Sequence, residues 1–298
     1  MITINKTLFH EVFGLIFDGY AARTGIFSEH HATTVGPQHV YRPRRVQQGS
    51  VDHVYWLALV AMSDRRTNST MLYKNFAKMF DRNPSLFVRG KFPTLKRMTT
   101  LFRQYQIAVP VGDIAFFIER KRHLDTYFDG DPFALFASAK NIDELMIHFK
   151  KLAKQYRIKT LFPGAKEKIF CLLAMFLREF EDLGFADVIP IDVWVQSIAA
   201  STGVLEGEGY IKFQKLEQSL RPAMQKVFKK HLDTDGAANA TWVLGKFGCT
   251  HCHRSDMETL CPVYHLCRGP FARTRHKVSG KHLGVIELPL NHLPKHGT

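Results

Sequence analysis

Cysteine is nearly missing from the first 248 residues, where Cys171 stands alone. Four more, Cys249, Cys252, Cys261 and Cys267, fall in the run CTHCHRSDMETLCPVYHLC, and none follows. Long hydrophobic runs are also missing. VYWLALVAM and IFCLLAMFL are each about half of the roughly 20 residues a membrane-spanning helix needs. The opening MITINKTLFHEVFGLIFDG has no basic segment ahead of a long apolar core, so a secretory leader is not expected. These shortages point inside the cell, to the cytoplasm, on the nucleoid or elsewhere in a reducing compartment. Clustered cysteines there read as metal ligands before they read as disulfides. Acid is short too: 27 Asp and Glu against 41 Lys and Arg leave a formal charge of +14. A field of that sign attracts polyanions, and nucleic acid is the natural one, because phosphate neutralisation releases counterions. Internal repeats and low-complexity linkers are absent, and alternating strand patterns are few. The best of them, YQIAVPV, is weakened by Pro110.

What is present is a globular composition. The chain has 298 residues, 45% of them hydrophobic, enough for two modest domains or one large one. Apolar residues recur at three- and four-residue spacing in VDHVYWLALVAM, TMLYKNFAKMF and NIDELMIHFKKLAKQY, where Asn141 is placed as an N-cap. AKEKIFCLLAMFLREFEDL is predicted as one helix ended by Gly184, followed later by LEQSLRPAMQKVFKKHL and ANATWVLGKFG. The fold class is all-α. The last thirty residues are basic and poor in helix signals, and are expected to lie over the core or along a polyanion.

The four cysteines are spaced x2, x8 and x5, and can converge on one tetrahedral centre. Thiolates favour an iron–sulfur cluster or zinc. His251, His253 and His265 sit among them as replacement zinc ligands, or face solvent or phosphate. A Trp- and Gly-bearing helix, WVLGKFG, runs directly into the first cysteine, and CPVYHLC closes the loop. Together these resemble the iron–sulfur loop of the endonuclease III branch of the helix-hairpin-helix DNA glycosylases. That family spaces its ligands C-x6-C-x2-C-x5-C, whereas here the tight pair comes first. The resemblance implies a [4Fe-4S] cluster on Cys249, Cys252, Cys261 and Cys267, with zinc as the alternative.

Two upstream segments extend the likeness. LFPGAKEKIFCLLA resembles the family's L-P-G-V-G-x-K hairpin, in which backbone N–H groups grip a DNA phosphate. By that likeness Gly164 and Lys166 are DNA-binding, and Lys168 stands where bifunctional members carry their Schiff-base lysine. The motif's second glycine is here Lys166, so a hairpin of different shape is expected, with Lys166 touching phosphate. Taken alone, either lysine is an ordinary solvated helix N-terminus. VIPIDVWVQSIAASTG resembles the segment that carries the family's catalytic aspartate, here Asp192. An acid in the apolar run PIDVWV is costly without a task or a partner, and capping the helix VWVQSIAA is one such task. The connection between Lys168 and Asp192 is long, as in archaeal 8-oxoguanine glycosylases.

The segment from Asp52 to Phe80 resembles the family's first core helices. The intervening loop offers Arg65, Arg66, Thr67 and Asn68 to the DNA stack, although a polar loop is as readily a surface connection. Arg268, Arg273 and Arg275 near the cysteines complete the expected phosphate contacts. The likeness runs from about position 50 to 268, with a weak stretch from 83 to 140. It implies two helical domains, 51–186 with the hairpin and 1–50 plus 187–298 with Asp192 and the metal-bound cysteine loop. It also implies a monomer that acts on double-stranded DNA and not at a membrane. The activity implied is excision of a damaged or modified base, with or without strand cleavage, in the cell's own DNA or in invading phage DNA. A non-catalytic nucleic-acid-binding protein stabilised by zinc or iron–sulfur is the competing reading.

Overall fold

The computed structural model describes residues 2–30, 36–64, 69–109, 111–186, 189–252, 254–268, 275–278 and 281–288. It is mostly helical. In chain order the α-helices are α1 (Lys6–Ala21), α2 (Ile26–His30), α3 (Pro37–Val40), α4 (Val51–Ala61), α5 (Ser69–Arg82), α6 (Leu95–Gln104), α7 (Val111–Phe128), α8 (Ile142–Gln155), α9 (Glu167–Leu177), α10 (Val193–Ser201), α11 (Phe213–Phe228), α12 (Thr234–Val243) and α13 (Met257–Leu260). Among the described residues no helix is long and apolar enough to cross a membrane.

The chain forms two compact units, Met1–Thr34 with Ile189–Thr298, and Val35–Val188. The break falls before α3 rather than after residue 50. Residues 36–50 belong with the second unit because they are bonded into it: Arg44 N–H donates to Asp81 at 2.6 Å, and Gly49 lies against the Phe180 ring.

In the Val35–Val188 unit, α4 is the central helix. Every residue from His53 to Ala61 is buried, as expected of a helix apolar on all sides, and α5, α7 and α9 pack around it. A buried polar network ties α7 to α4. Lys121 Nζ, with no exposed side-chain surface, donates to Tyr55 Oη at 2.8 Å, Asp125 Oδ2 at 2.8 Å and the Val88 carbonyl at 3.1 Å. Tyr55 in turn donates to Asp125 Oδ1 at 2.7 Å. Burial first, and then that hydrogen bond, push the Tyr55 phenol well up, which keeps it a donor. The helix α8 starts at a reciprocal cap: Asn141 accepts the Glu144 N–H at 3.0 Å, and Glu144 accepts the Lys140 N–H at 2.8 Å.

In the other unit, α1 starts at Asn5, whose side chain accepts the Leu8 N–H, and buries Phe9, Val12, Phe13, Ile16 and Phe17 against α11 and α12. Strand β1 (Thr3–Ile4) pairs with β2 (Leu205–Glu206). Strands β3 (Gly209–Lys212), β4 (Arg275–Val278) and β5 (Lys281–Leu288) form an antiparallel sheet ordered β3-β5-β4, with Ile211 opposite Ile286. The C-terminal stretch, read from the sequence as poor in helix signals, contributes two strands.

In YQIAVPV, the best of the few alternating patterns, Tyr105 caps α6, Gln106 turns the backbone at φ 53°, and Ile107–Val109 join no sheet among the described residues. One local expectation is corrected. The helix predicted to reach Gly184 ends at Leu177.

Lys121→Met removes the cation of a desolvated pair and leaves the Asp125 carboxylate with the neutral donors Tyr55 and Gly90. A loss of about 3–5 kcal/mol is expected in urea unfolding. A loss under about 1 kcal/mol would mean that the network carries no such weight.

Candidate functional site

The segment likened to the hairpin lies in the Val35–Val188 unit, between α8 and α9. Tyr156 caps α8, Arg157 takes φ 54°, and the chain turns back through Leu161 and Phe162. Gly164 stands at φ 76°, the left-handed region that favours glycine. Ala165 N–H closes the turn onto the Phe162 carbonyl at 3.2 Å. Lys166 then sits at the N-cap of α9 with φ −129° and ψ −176°, extended backbone open to any residue. The lysine that replaces the motif's second glycine therefore needs no special conformation. Lys166 is exposed, and Lys168, in the first turn of α9, is half-buried.

The turn is anchored from below and behind. Phe162 stacks with Phe128 at 5.8 Å, and meets Phe149 at 5.2 Å and Phe170 at 5.7 Å, so one ring joins α7, α8 and α9. Arg120, 1% exposed, donates through Nε to the Pro163 carbonyl at 2.7 Å and through Nη1 to the Met62 carbonyl at 2.6 Å. A His123 ring nitrogen bonds the Leu161 carbonyl. Sequence reasoning missed both residues. They lie in the stretch where the family likeness is weak, and a cation in ERKRHLD gives no sign in sequence that it is buried.

Asp192 caps α10. Its Oδ1 accepts the N–H groups of Trp194 at 2.8 Å and Val195 at 3.0 Å. The carboxylate is half-buried and held in one orientation at the positive end of a helix. The first turn of α10 carries Trp194, whose side chain packs closely against Gly245. A Cβ at Gly245 would stand 2.4 Å from it. Gly245 belongs to a five-residue π turn, Leu244–Gly248, that ends at Cys249. Asp192 and the first cysteine are thus linked through one tight contact.

The cysteine loop is seated on the same unit. Cys249 opens a short 3-10 turn, Cys252 is buried, and α13 leads into Cys261. Gly25, at φ 54°, lies under the Leu260 carbonyl, where a Cβ would meet the oxygen at 2.3 Å. Arg268 N–H closes the loop onto the Ser201 carbonyl at the end of α10, at 2.7 Å. Its guanidinium lies over Gly203, where a Cβ would come within 2.8 Å of Nη2. Near a helix C-terminus a cation is favoured, so Arg268 has a structural place beside any phosphate contact.

Burial pushes the Cys252 thiol up to about 11 and the Cys261 thiol up to about 12. Cys249 is pushed up too, by burial and then by Cys261, Cys267 and Cys252. The thiols therefore lie within electrostatic reach of one another. Even so, among the described residues no three Cys, His, Asp or Glu side chains stand close enough together to hold a metal ion. The donor chemistry of four thiols suits iron–sulfur or zinc.

Gly164, Lys166 and Lys168 are brought together in one unit, and Asp192, the four cysteines and Arg268 belong to the other. Arg65, Arg66, Thr67, Asn68, His253 and Arg273 lie outside the described residues. Arg275 opens β4.

Gly245→Ala is expected to cost about 1–3 kcal/mol through overpacking, and distinctly less in a Trp194→Gly background, which removes both the ring and the Cβ that a new methyl would meet. Equal costs in the two backgrounds, read by chemical denaturation, would contradict the contact.

No protein-family model matches the chain, and no curated protein matches it.

Proposed function

We propose that the chain is a DNA glycosylase of the helix-hairpin-helix kind, with its cysteine loop holding a metal centre. The observation that carries the reading is α10: it presents a fixed carboxylate, Asp192, at its N-terminus and is locked through Trp194 and Gly245 to the segment entering the four-cysteine loop. An anchored Gly164 turn followed by two lysines supports it, as does the net charge of +14.

In this reading the hairpin N–H groups and Lys166 hold a backbone phosphate of duplex DNA, and the target base leaves the stack before cleavage. The C1′–N bond breaks with its electron pair going to the base, and positive charge develops on the sugar. The Asp192 carboxylate offsets that charge and accepts the proton of the attacking group. Where the attacking group is water, the products are free base and an abasic sugar. Where it is the neutral Lys168 amine, the product is an imine that can undergo β-elimination and cut the strand. Cys249, Cys252, Cys261 and Cys267 would hold a [4Fe-4S] cluster or zinc, which orders the loop and takes no part in bond cleavage.

The test is a set of duplexes, each with one modified base, scored for base release. Asn caps helices as well as Asp does, so Asp192→Asn should fold and bind DNA while base release falls by about 100-fold or more. Release that survives the change removes Asp192 from the chemistry. Binding with no release from any duplex favours the non-catalytic reading. Borohydride should trap wild type to DNA, and Lys168→Ala should abolish the adduct. An adduct that instead vanishes in Lys166→Ala reassigns the nucleophile.

A further inference from the structure

The hairpin carries a feature that phosphate gripping does not use. Tyr127, in the last turn of α7, and Tyr156, at the end of α8, stack face to face with centroids 4.1 Å apart and planes 14° apart. His123 stands next in the column, 5.4 Å from Tyr127, and its ring nitrogen bonds the Leu161 carbonyl at the hairpin entry. Phe128, next to Tyr127 in sequence, is buried, whereas Tyr156 is 38% exposed. Arg157 turns the chain at φ 54° just after it, and the Ile158 N–H bonds back to the Ala153 carbonyl, which fixes the end of the column.

The surroundings are strongly cationic. From Lys150 to Lys168 seven Lys and Arg face one acid, Glu167. Lys154, Arg157, Lys159 and Lys166 are exposed. An exposed aromatic column ringed by cations suits a partner that carries both phosphates and an uncovered base face. Intact duplex has the phosphates, but its bases cover one another. An acidic protein has charge without bases.

We propose that the Tyr127–Tyr156 column and its flanking cations bind unpaired nucleotides of a DNA strand, so that this unit prefers duplex carrying a single-stranded stretch over blunt duplex. The inference rests on the reading of the hairpin as the DNA-facing element. The unpaired base stacks on Tyr156 while Lys154, Arg157 and Lys159 neutralise the phosphates beside it.

The experiment uses the full chain and compares anisotropy of a labelled blunt duplex with that of the same duplex bearing an oligo(dT) overhang. Wild type should bind the overhang form roughly tenfold more tightly. Tyr156→Ala should lose most of that preference and keep its blunt-duplex affinity, whereas Tyr156→Phe should keep both. Tyr156→Leu, which preserves apolar cover without an aromatic face, should behave like Tyr156→Ala. A 2-aminopurine in the overhang should be quenched by wild type, a readout that needs no variant. No overhang preference or no quenching in wild type, or a preference unchanged in both Tyr156→Ala and Tyr156→Leu, overturns the proposal. An oligo(rU) overhang that binds more tightly than oligo(dT) overturns it in favour of RNA. A wild type that binds neither DNA overturns this inference and the glycosylase reading together, whereas tight blunt-duplex binding without overhang preference overturns this inference alone.

Discussion

The Arg120 guanidinium is the contact on which the hairpin depends. A buried cation is costly unless its donors are used. Here Nε and Nη1 bind the carbonyls of Pro163 and Met62, which join the turn to the end of α4. A turn of Pro, Gly and small residues has little apolar surface of its own to hold it in place. The bonds from Arg120 and His123 supply direction, and the Phe162 ring supplies burial among α7, α8 and α9. That combination fixes the backbone that leads into α9 and sets Lys166 and Lys168 on a rigid element, as preorganised binding requires.

The other unit is organised around α10 in the same way. Its first turn is capped by Asp192, its Trp194 side chain is seated on Gly245, and its last carbonyl, that of Ser201, accepts the Arg268 N–H. One short helix thus ties the carboxylate to both ends of the cysteine loop. Capping is compatible with the catalytic role proposed for Asp192. The two N–H groups that it accepts hold the carboxylate still, and a base that is held still spends less free energy on orientation.

Much of the helical framework was legible because its signals are local. The Asn141 cap, the apolar spacing in VDHVYWLALVAM and the turn at Pro163 and Gly164 all follow from neighbouring residues. What was not legible depends on distant partners. Arg120, Lys121 and His123 look like a solvated charged stretch in ERKRHLD, yet Arg120 and Lys121 are buried and all three carry the bonds that matter. YQIAVPV alternates like a strand, but among the described residues its Ile107–Val109 joins no sheet, whereas the C-terminal strands find β3. The boundary before α3 rests on Arg44 reaching Asp81 and Gly49 reaching Phe180, contacts that no composition shift announces. The cysteine loop was legible as a concentration of soft donors. Its seating on Gly25, Gly203 and Gly245 was not, because close approach to a glycine leaves no local pattern.

The most direct measurement of the central claim is metal and sulfide analysis of the full chain purified without oxygen, alongside its visible spectrum, for wild type and Cys267→Ser. Iron and sulfide in the proportion of a cubane cluster, with a broad visible absorption that Cys267→Ser loses, are the expected result. Stoichiometric zinc in a colourless protein would replace the cluster and keep the loop as a metal site. A wild type with neither metal, whose four loop thiols all react freely with an alkylating reagent while the protein stays folded, would contradict the claim.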